Sequence, residues 1–262
     1  MDAKLHLTSL KVMQDYQNYQ APEGALQGKV ILVTGAGDGI GREAALTYAR
    51  LGATVILLGR TTKKLEAVYD EIIEAGYPEP AIIPLDMKGA TESHYRDMAA
   101  TIEDQFGKLD GLLHNASILG VLSPFTHIDL PTWNDVLHVN VTAQFMMTKA
   151  LIPVMLKAPS PRIIFTSSGV GRTGRAHWGP YAVSKFATEG MAQIIADEYE
   201  NTSLRVNVIN PGATRTAMRA RAYPAEDSGK LKTAAEIMPV YIFLMSDAAA
   251  GITGESLDAQ TR

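Results

Sequence analysis

The run Lys29-Val-Ile-Leu-Val-Thr34 passes directly into Gly35-Ala-Gly-Asp-Gly-Ile-Gly41, and from Arg42 to Leu51 apolar residues recur at helical spacing. A short β-branched apolar run is the pattern of a strand buried on both faces. Such a strand needs helices above and below it, so strand, glycine-rich turn and helix in succession leave few folds open. The rest of the chain repeats the alternation. Apolar runs read as strands near 29–34, 54–58, 81–85, 110–114, 162–167, 204–209 and 255–258. Helical segments read near 40–51, 62–75, 91–106, 131–156, 180–200 and 233–246. That order predicts an α/β fold in which a doubly wound parallel sheet of seven strands carries helices on both faces. The 262 residues suit a single domain of this type over 28–262. Residues 1–27, rich in Gln, Tyr and Asn, read as an N-terminal extension outside the main sheet.

The glycine turn gives the sheet a Rossmann-type reading. Gly35 supplies a tight turn, Gly37 and Gly39 let the backbone approach a diphosphate, and Gly41 lets helix and strand pack closely. Asp38 and Ile40 complete the turn, and the diphosphate is expected at the helix N-terminus, where free N–H groups and the dipole favour anions. A bound NAD needs a carboxylate about 20 residues past the glycines to hold its ribose 2′-hydroxyl. Residues 44–65 contain no Asp or Glu, and the second strand ends Leu57-Leu58-Gly59-Arg60, followed by Thr61, Thr62, Lys63 and Lys64. An arginine fork there suits a 2′-phosphate, so NADP is the expected cofactor and NAD the alternative. Asp38 inside the loop argues the other way.

Residues 166–185 carry the chemistry. Tyr181 and Lys185 are four apart in a helical segment, so their side chains share one face. A tyrosine with a pKa near 10 is a poor proton carrier at neutral pH. A nearby ammonium favours the phenolate and is expected to bring that pKa toward the working range. Ser168, at the end of the run Arg162-Ile-Ile-Phe-Thr-Ser, stands where it can donate to a carbonyl oxygen beside the tyrosine. Ser167 is the neighbouring alternative.

The glycine spacing together with Tyr-x-x-x-Lys resembles the short-chain dehydrogenase/reductase family in its single-domain form, over roughly residues 27–258. His114-Asn-Ala-Ser117 matches the family's Asn-Asn-Ala-Gly element with departures at His114 and Ser117, and it brings Asn115 and Ala116 to the cofactor. Asn140 falls on the family's helix asparagine. Asn210-Pro-Gly-Ala-Thr-Arg-Thr216 matches the loop that borders the nicotinamide, which implicates Pro211, Gly212, Thr214 and Thr216. The resemblance sets Asp86, with Met87, against the adenine, although by residue type Asp86 caps the next helix equally well. The implied activity is hydride transfer between NADP(H) and a carbonyl or secondary alcohol. In it Tyr181 is the acid/base, Lys185 assists it and binds ribose hydroxyls, Ser168 polarises the substrate oxygen, and Asn140 holds a relay water. Rival readings are a catalytically silent NADP-binding sensor or scaffold, and an enoyl reductase. The loss of Ser168, Tyr181 or Lys185 would favour the first, and a wider Tyr–Lys spacing the second.

Helix 180–200 is apolar or small around most of its girth, a pattern that needs burial on all sides. With the resemblance, it points to a homodimer or homotetramer built on that helix and on 131–156. The segment 213–232 is expected to cover the nicotinamide. Its Arg215, Arg219 and Arg221 suit either an acidic substrate or a solvated basic loop. His177 and Trp178 read as lining the substrate mouth or as loop packing, and His114 as a core or supporting histidine.

A net charge of −4 argues against a nucleic-acid surface or an anionic membrane. There are no cysteines and the six histidines are scattered, so no metal site is expected. No apolar run approaches a membrane span. Met1-Asp-Ala-Lys-Leu-His-Leu-Thr shows no signal region, so a cytoplasmic location is expected.

Overall fold

The computed structural model describes residues 16–261. Seven strands form a sheet in the order β3-β2-β1-β4-β5-β6-β7: β1 (Val30–Thr34), β2 (Thr54–Gly59), β3 (Ala81–Pro84), β4 (Gly111–His114), β5 (Arg162–Thr166), β6 (Arg205–Asn210) and β7 (Ser256–Asp258). Every neighbouring pair is parallel. The doubly wound single-domain fold read from the apolar alternation is the one observed.

Helices cover both faces: α1 (Gly39–Arg50), α2 (Thr62–Glu74), α3 (Glu92–Phe106), α4 (Leu130–Leu137), α5 (Ala143–Met155), α6 (Gly179–Glu198), α7 (Ala217–Ala222) and α8 (Met238–Met245). Strand periodicity divides the core in two. Ile31, Val33 and Leu113 face one layer with Tyr48 of α1 and the buried residues of α8. Val30, Leu32 and Leu112 face the other with Tyr95, Ile102, Met147 and Leu151. A period of two sends successive side chains to opposite faces, which is why a central strand such as Val30–Thr34 is apolar on both.

Two segments differ from the sequence expectation. The helix expected over 131–156 is interrupted by a π turn at His138–Thr142, between α4 and α5. The segment 213–232 contains a helix, α7, that the sequence reading passed over. Its signals are in the chain: Thr216 caps it by accepting Arg219 N at 3.1 Å, Ala-Met-Arg-Ala-Arg-Ala follows, and Pro224 stands just beyond its end. A single bridge between Thr214 and Lys232 closes the lid at its base.

Of the proposed extension, residues 1–15 lie outside the described residues. Within residues 16–27, Tyr16 and Tyr19 pack against Phe243 of α8 and Leu26 is fully buried.

The strand order reverses between β1 and β4. In open α/β sheets, ligands bind at such a switch point, outside the carboxyl ends of the strands.

Candidate active site

The carboxyl ends of β1, β2, β4, β5 and β6 open into one cleft of about 750 Å³. The glycine turn forms one wall. Gly35 N and Ala36 N donate to Leu58 O at 2.8 and 3.2 Å, folding the chain sharply off β1. Gly35 and Gly39 have φ of 69° and 53°, a region that side chains disfavour. A Cβ on Gly41 would stand 2.3 Å from Gly35 O and 2.6 Å from Asn115 Nδ2. The helix therefore starts against bare backbone, which leaves the first turn of α1 open toward the cleft. That cradle fits a diphosphate. Gly35, Gly37, Asp38, Gly39 and Ile40 line the cleft, whereas Gly41 is buried behind it.

Arg60 lines the same cleft from the end of β2. Asp38, the residue that argued against a 2′-phosphate, forms an ion pair with Lys64. Hydrogen bonding to that ammonium is the main reason its carboxyl is held below the usual range. A Cβ on Gly37 would stand 2.8 Å from Lys64 Cβ, so the lysine stem lies on the glycine loop. Asp86 and Met87 line the cleft beyond Arg60, and Asp86 Oδ1 also accepts Lys88 N at 3.0 Å.

Beside β4, Thr34 Oγ1 accepts Asn115 N at 2.9 Å and Ala116 N at 3.0 Å. Asn140 in the π turn takes hold of the next residue but one. Its Oδ1 accepts Ile118 N at 2.8 Å, and its Nδ2 donates to Ile118 O at 2.9 Å and to Ser184 Oγ at 3.0 Å. Both amide hydrogens are thus used, and Asn140 is fully buried. Its side chain clamps the backbone of the β4 loop against α6. π turns are rare and gather at functional sites.

Tyr181, Lys185 and Ser168 converge on the cleft. Burial pushes the Tyr181 phenol up to about 12, while hydrogen bonds with Ser168 and Ser117 pull it back. The expectation that lysine brings this phenol toward neutrality is therefore reversed by burial in the protein alone. Burial also pushes the Lys185 ammonium down to about 8, partly opposed by Glu189. Lys185 Nζ stands 5.4 Å from the Tyr181 ring centre and donates to Thr166 O at 2.7 Å. Ser168, not Ser167, is the serine of this pair whose hydrogen bonding lowers the phenol's pKa. Ser167 Oγ is buried without a hydrogen-bond partner.

The Pro211-Gly212 loop closes the cleft with Thr214 and Thr216. Gln260 holds it, donating to Pro211 O at 2.8 Å and Ala213 O at 3.2 Å. Gln260, Thr34 and Ser117 were missed by the sequence reading. Trp178 is buried, lines the cleft and packs on Tyr181 at 5.7 Å, while His177 is exposed with φ 71°. His114 is fully buried against Phe165 with Nε2 2.8 Å from Thr148 Oγ1, and burial lowers its pKa to about 3. It is a neutral core histidine. Of the lid arginines, Arg215 bonds the carbonyls of Ser228, Gly229 and Leu231, and Arg219 pairs with Glu226. Arg221 lines the cleft. Among the described residues there is no cluster suited to a metal, and no helix is long and apolar enough to cross a membrane.

A family profile described as short chain dehydrogenase matches residues 29–227. The chain is 53% identical over 243 residues to the uncharacterized oxidoreductase YciK of Escherichia coli K12, covering 93% of this chain and 96% of that one. A short chain dehydrogenase of Shigella flexneri 2a, solved in complex with NADP, is 52% identical with a TM-score of 0.90, covering 92% of this chain and 100% of that one. Another from Escherichia coli CFT073, complexed with NADPH, is 54% identical with a TM-score of 0.89 at 92% and 100% coverage. A sheet whose switch point carries this glycine turn, and relatives of this closeness over nearly the full chain, have one reading: the protein belongs to the short-chain dehydrogenase family and is one of its NAD(P)-dependent oxidoreductases.

Proposed function

We propose that the protein interconverts a small carbonyl compound and its secondary alcohol with NADP(H), using Tyr181 as the proton carrier. The observation that carries this reading is the convergence of Tyr181, Lys185 and Ser168 in the cleft that also holds the glycine turn and Arg60. When bound, the cofactor supplies or accepts the hydride. The protein contributes position and charge. The first turn of α1 receives the diphosphate, Arg60 the 2′-phosphate, and the Pro211–Thr216 loop borders the nicotinamide. Asp86 and Met87 flank the adenine, and Asn115 and Ala116 form the floor. With Asp38 neutralised by Lys64, the carboxylate in the loop no longer opposes a phosphate.

In reduction, the Tyr181 O–H bond breaks as its proton passes to the substrate oxygen, which Ser168 orients by donating a hydrogen bond. Lys185 places a positive charge under the phenolate that remains. Asn140 acts on this site as a clamp: it fixes Ile118 and Ser184, and through them the spacing between the β4 loop and α6. The silent-scaffold reading is disfavoured because all three reactive side chains are present and meet.

The test is turnover of aldehydes, ketones and 3-oxoacyl thioesters with NADPH and with NADH. NADPH is expected to give the higher kcat/KM, and a preference for NADH would overturn the cofactor assignment. Arg60→Met is expected to weaken NADPH about tenfold to a hundredfold, the worth of a charge-assisted phosphate contact, and to leave NADH nearly unchanged.

We infer further that the protein is a homodimer or homotetramer. Phe145 on α5 and Val183, Phe186 and Ile194 on α6 are exposed by 51, 42, 46 and 60%. Large apolar side chains gathered on two helices suit a subunit contact. Light scattering is expected to give two or four times the chain mass, and a monomer would remove the inference.

A further inference from the structure

The lid carries three arginines, and the fold already engages two of them. Arg215 Nε donates to Ser228 O at 2.8 Å, and its Nη2 donates to the carbonyls of Gly229 and Leu231 at 3.4 and 3.3 Å. Arg219 makes a two-pronged pair with Glu226, each contact 2.6 Å, and its guanidinium lies 3.9 Å from the Tyr223 ring centre. Both brace the lid on itself. Arg221 differs: among the described residues it has no hydrogen bond, ion pair or ring partner. The carboxylates that line the cleft are matched elsewhere, Asp38 with Lys64, Asp135 with Lys88 Nζ and Asp86 with Lys88 N.

The place of Arg221 follows from the helix that carries it. Arg221 and Ala222 stand three and four residues after Met218 on α7, so the three share a face, and all three line the cleft. Met218 and Ala222 also pack in one apolar cluster with Leu119, Trp178 and Tyr181. That puts the Arg221 face at the end of the cleft that holds the phenol, with an apolar wall beside an exposed cation. A guanidinium stays charged at any working pH, and its planar fork fits a carboxylate or phosphate with two hydrogen bonds. A substrate with its carbonyl at Tyr181 and its body along Trp178 and Met218 would bring its far end to this fork. We propose that Arg221 is the specificity-determining residue of the substrate pocket. Its guanidinium pairs with a terminal carboxylate or phosphate, so the substrate is a carbonyl compound with an apolar body and an anionic end.

The proposal rests on this cleft being the carbonyl site, and its test is one of binding, so that it fails separately from the proton-carrier reading. The probes are methyl ketones carrying a terminal carboxylate or phosphate on alkyl chains of increasing length, each beside its neutral methyl ester. They are titrated calorimetrically into the enzyme loaded with NADP+, which cannot reduce them. An ion pair on open surface is worth at most about fivefold. A two-pronged pair against an apolar wall is worth more, and the best anionic ketone is expected to bind about tenfold or more tightly than its ester. Arg221→Met should bring that ketone to the level of its ester, and Arg221→Lys should restore part of the preference. Preference for either anion supports the proposal, and the stronger of the two names the class. Tyr181→Phe should show the same preference, since it leaves the guanidinium in place, while its turnover alone judges the proton carrier. A series in which no anionic member outbinds its ester overturns the proposal, and so does a preference that survives Arg221→Met. A Kd for NADPH that weakens in Arg221→Met also overturns it, because the guanidinium would then serve the cofactor.

Discussion

Tyr181→Phe is expected to lower kcat by about 10²- to 10⁴-fold, the usual contribution of a positioned acid or base. The change removes one oxygen and keeps the ring, so packing against Trp178 survives. The cofactor contacts proposed for the glycine turn and Arg60 are untouched, and the Kd for NADPH should hold within error. Fluorescence titration beside steady-state kinetics separates the two quantities. A variant that turns over at near wild-type rate would show that the proton comes from elsewhere. Loss of cofactor affinity in step with kcat would point to a binding role for the hydroxyl.

Lys185→Met should remove turnover and at the same time change the response to pH. The Lys185 ammonium is 1% exposed, and burial holds its pKa near 8 against an ordinary 10.5. The folded protein therefore binds fewer protons here than the unfolded chain between about pH 8 and 10.5. Stability from this group rises with pH across that window, and below pH 8 the full cost of burying the charge remains. The shift corresponds to roughly 3 kcal/mol. The methionine variant avoids that cost but leaves Thr166 O without its donor, worth about 1 kcal/mol or more in the other direction. Its urea midpoint at pH 7 should equal or exceed that of the parent, and the advantage should shrink as pH approaches 10. Above pH 10 the buried phenols reverse the trend, because Tyr95 and Tyr181 are pushed up to about 12 and oppose unfolding less as the unfolded chain ionises. A variant less stable than the parent at pH 7 would mean that the ammonium is well satisfied where it lies. The expected result, a variant at least as stable as the parent, would make Lys185 a net cost to the fold.

The fold was largely legible because its rules are local. Strands buried on both faces are predominantly apolar, as in Val30–Thr34, and the turn that follows carries a glycine at every second position from Gly35 to Gly41. Gly35, Gly37, Gly39, Arg60, Ser168, Tyr181 and Lys185 line one cleft, and the sequence reading had grouped them through helix spacing and the family resemblance. Other features depend on contacts distant in the chain. Gln260 meets Pro211 across 49 residues, and Asn140 meets Ile118 across 22. No local pattern announces either. The electrostatics were misread for a related reason. Spacing on a helix shows that Lys185 is near Tyr181, but the cost of burying either group depends on what covers both. The short helix α7 was legible in principle from its threonine cap and its run of strong helix formers.

The π turn at His138–Thr142 has a consequence for how this chain tolerates insertion and deletion. Each residue of a helix advances the azimuth by about 100°, so one residue removed from the wide turn would restore a regular coil and rotate everything downstream. Asn140 would swing off Ile118, and the aromatic edge presented by Phe145 would point elsewhere. One wide turn thus sets the phase of the Asn140 clamp and of the exposed Phe145 face proposed for self-association, and a single-codon deletion there should disturb both together.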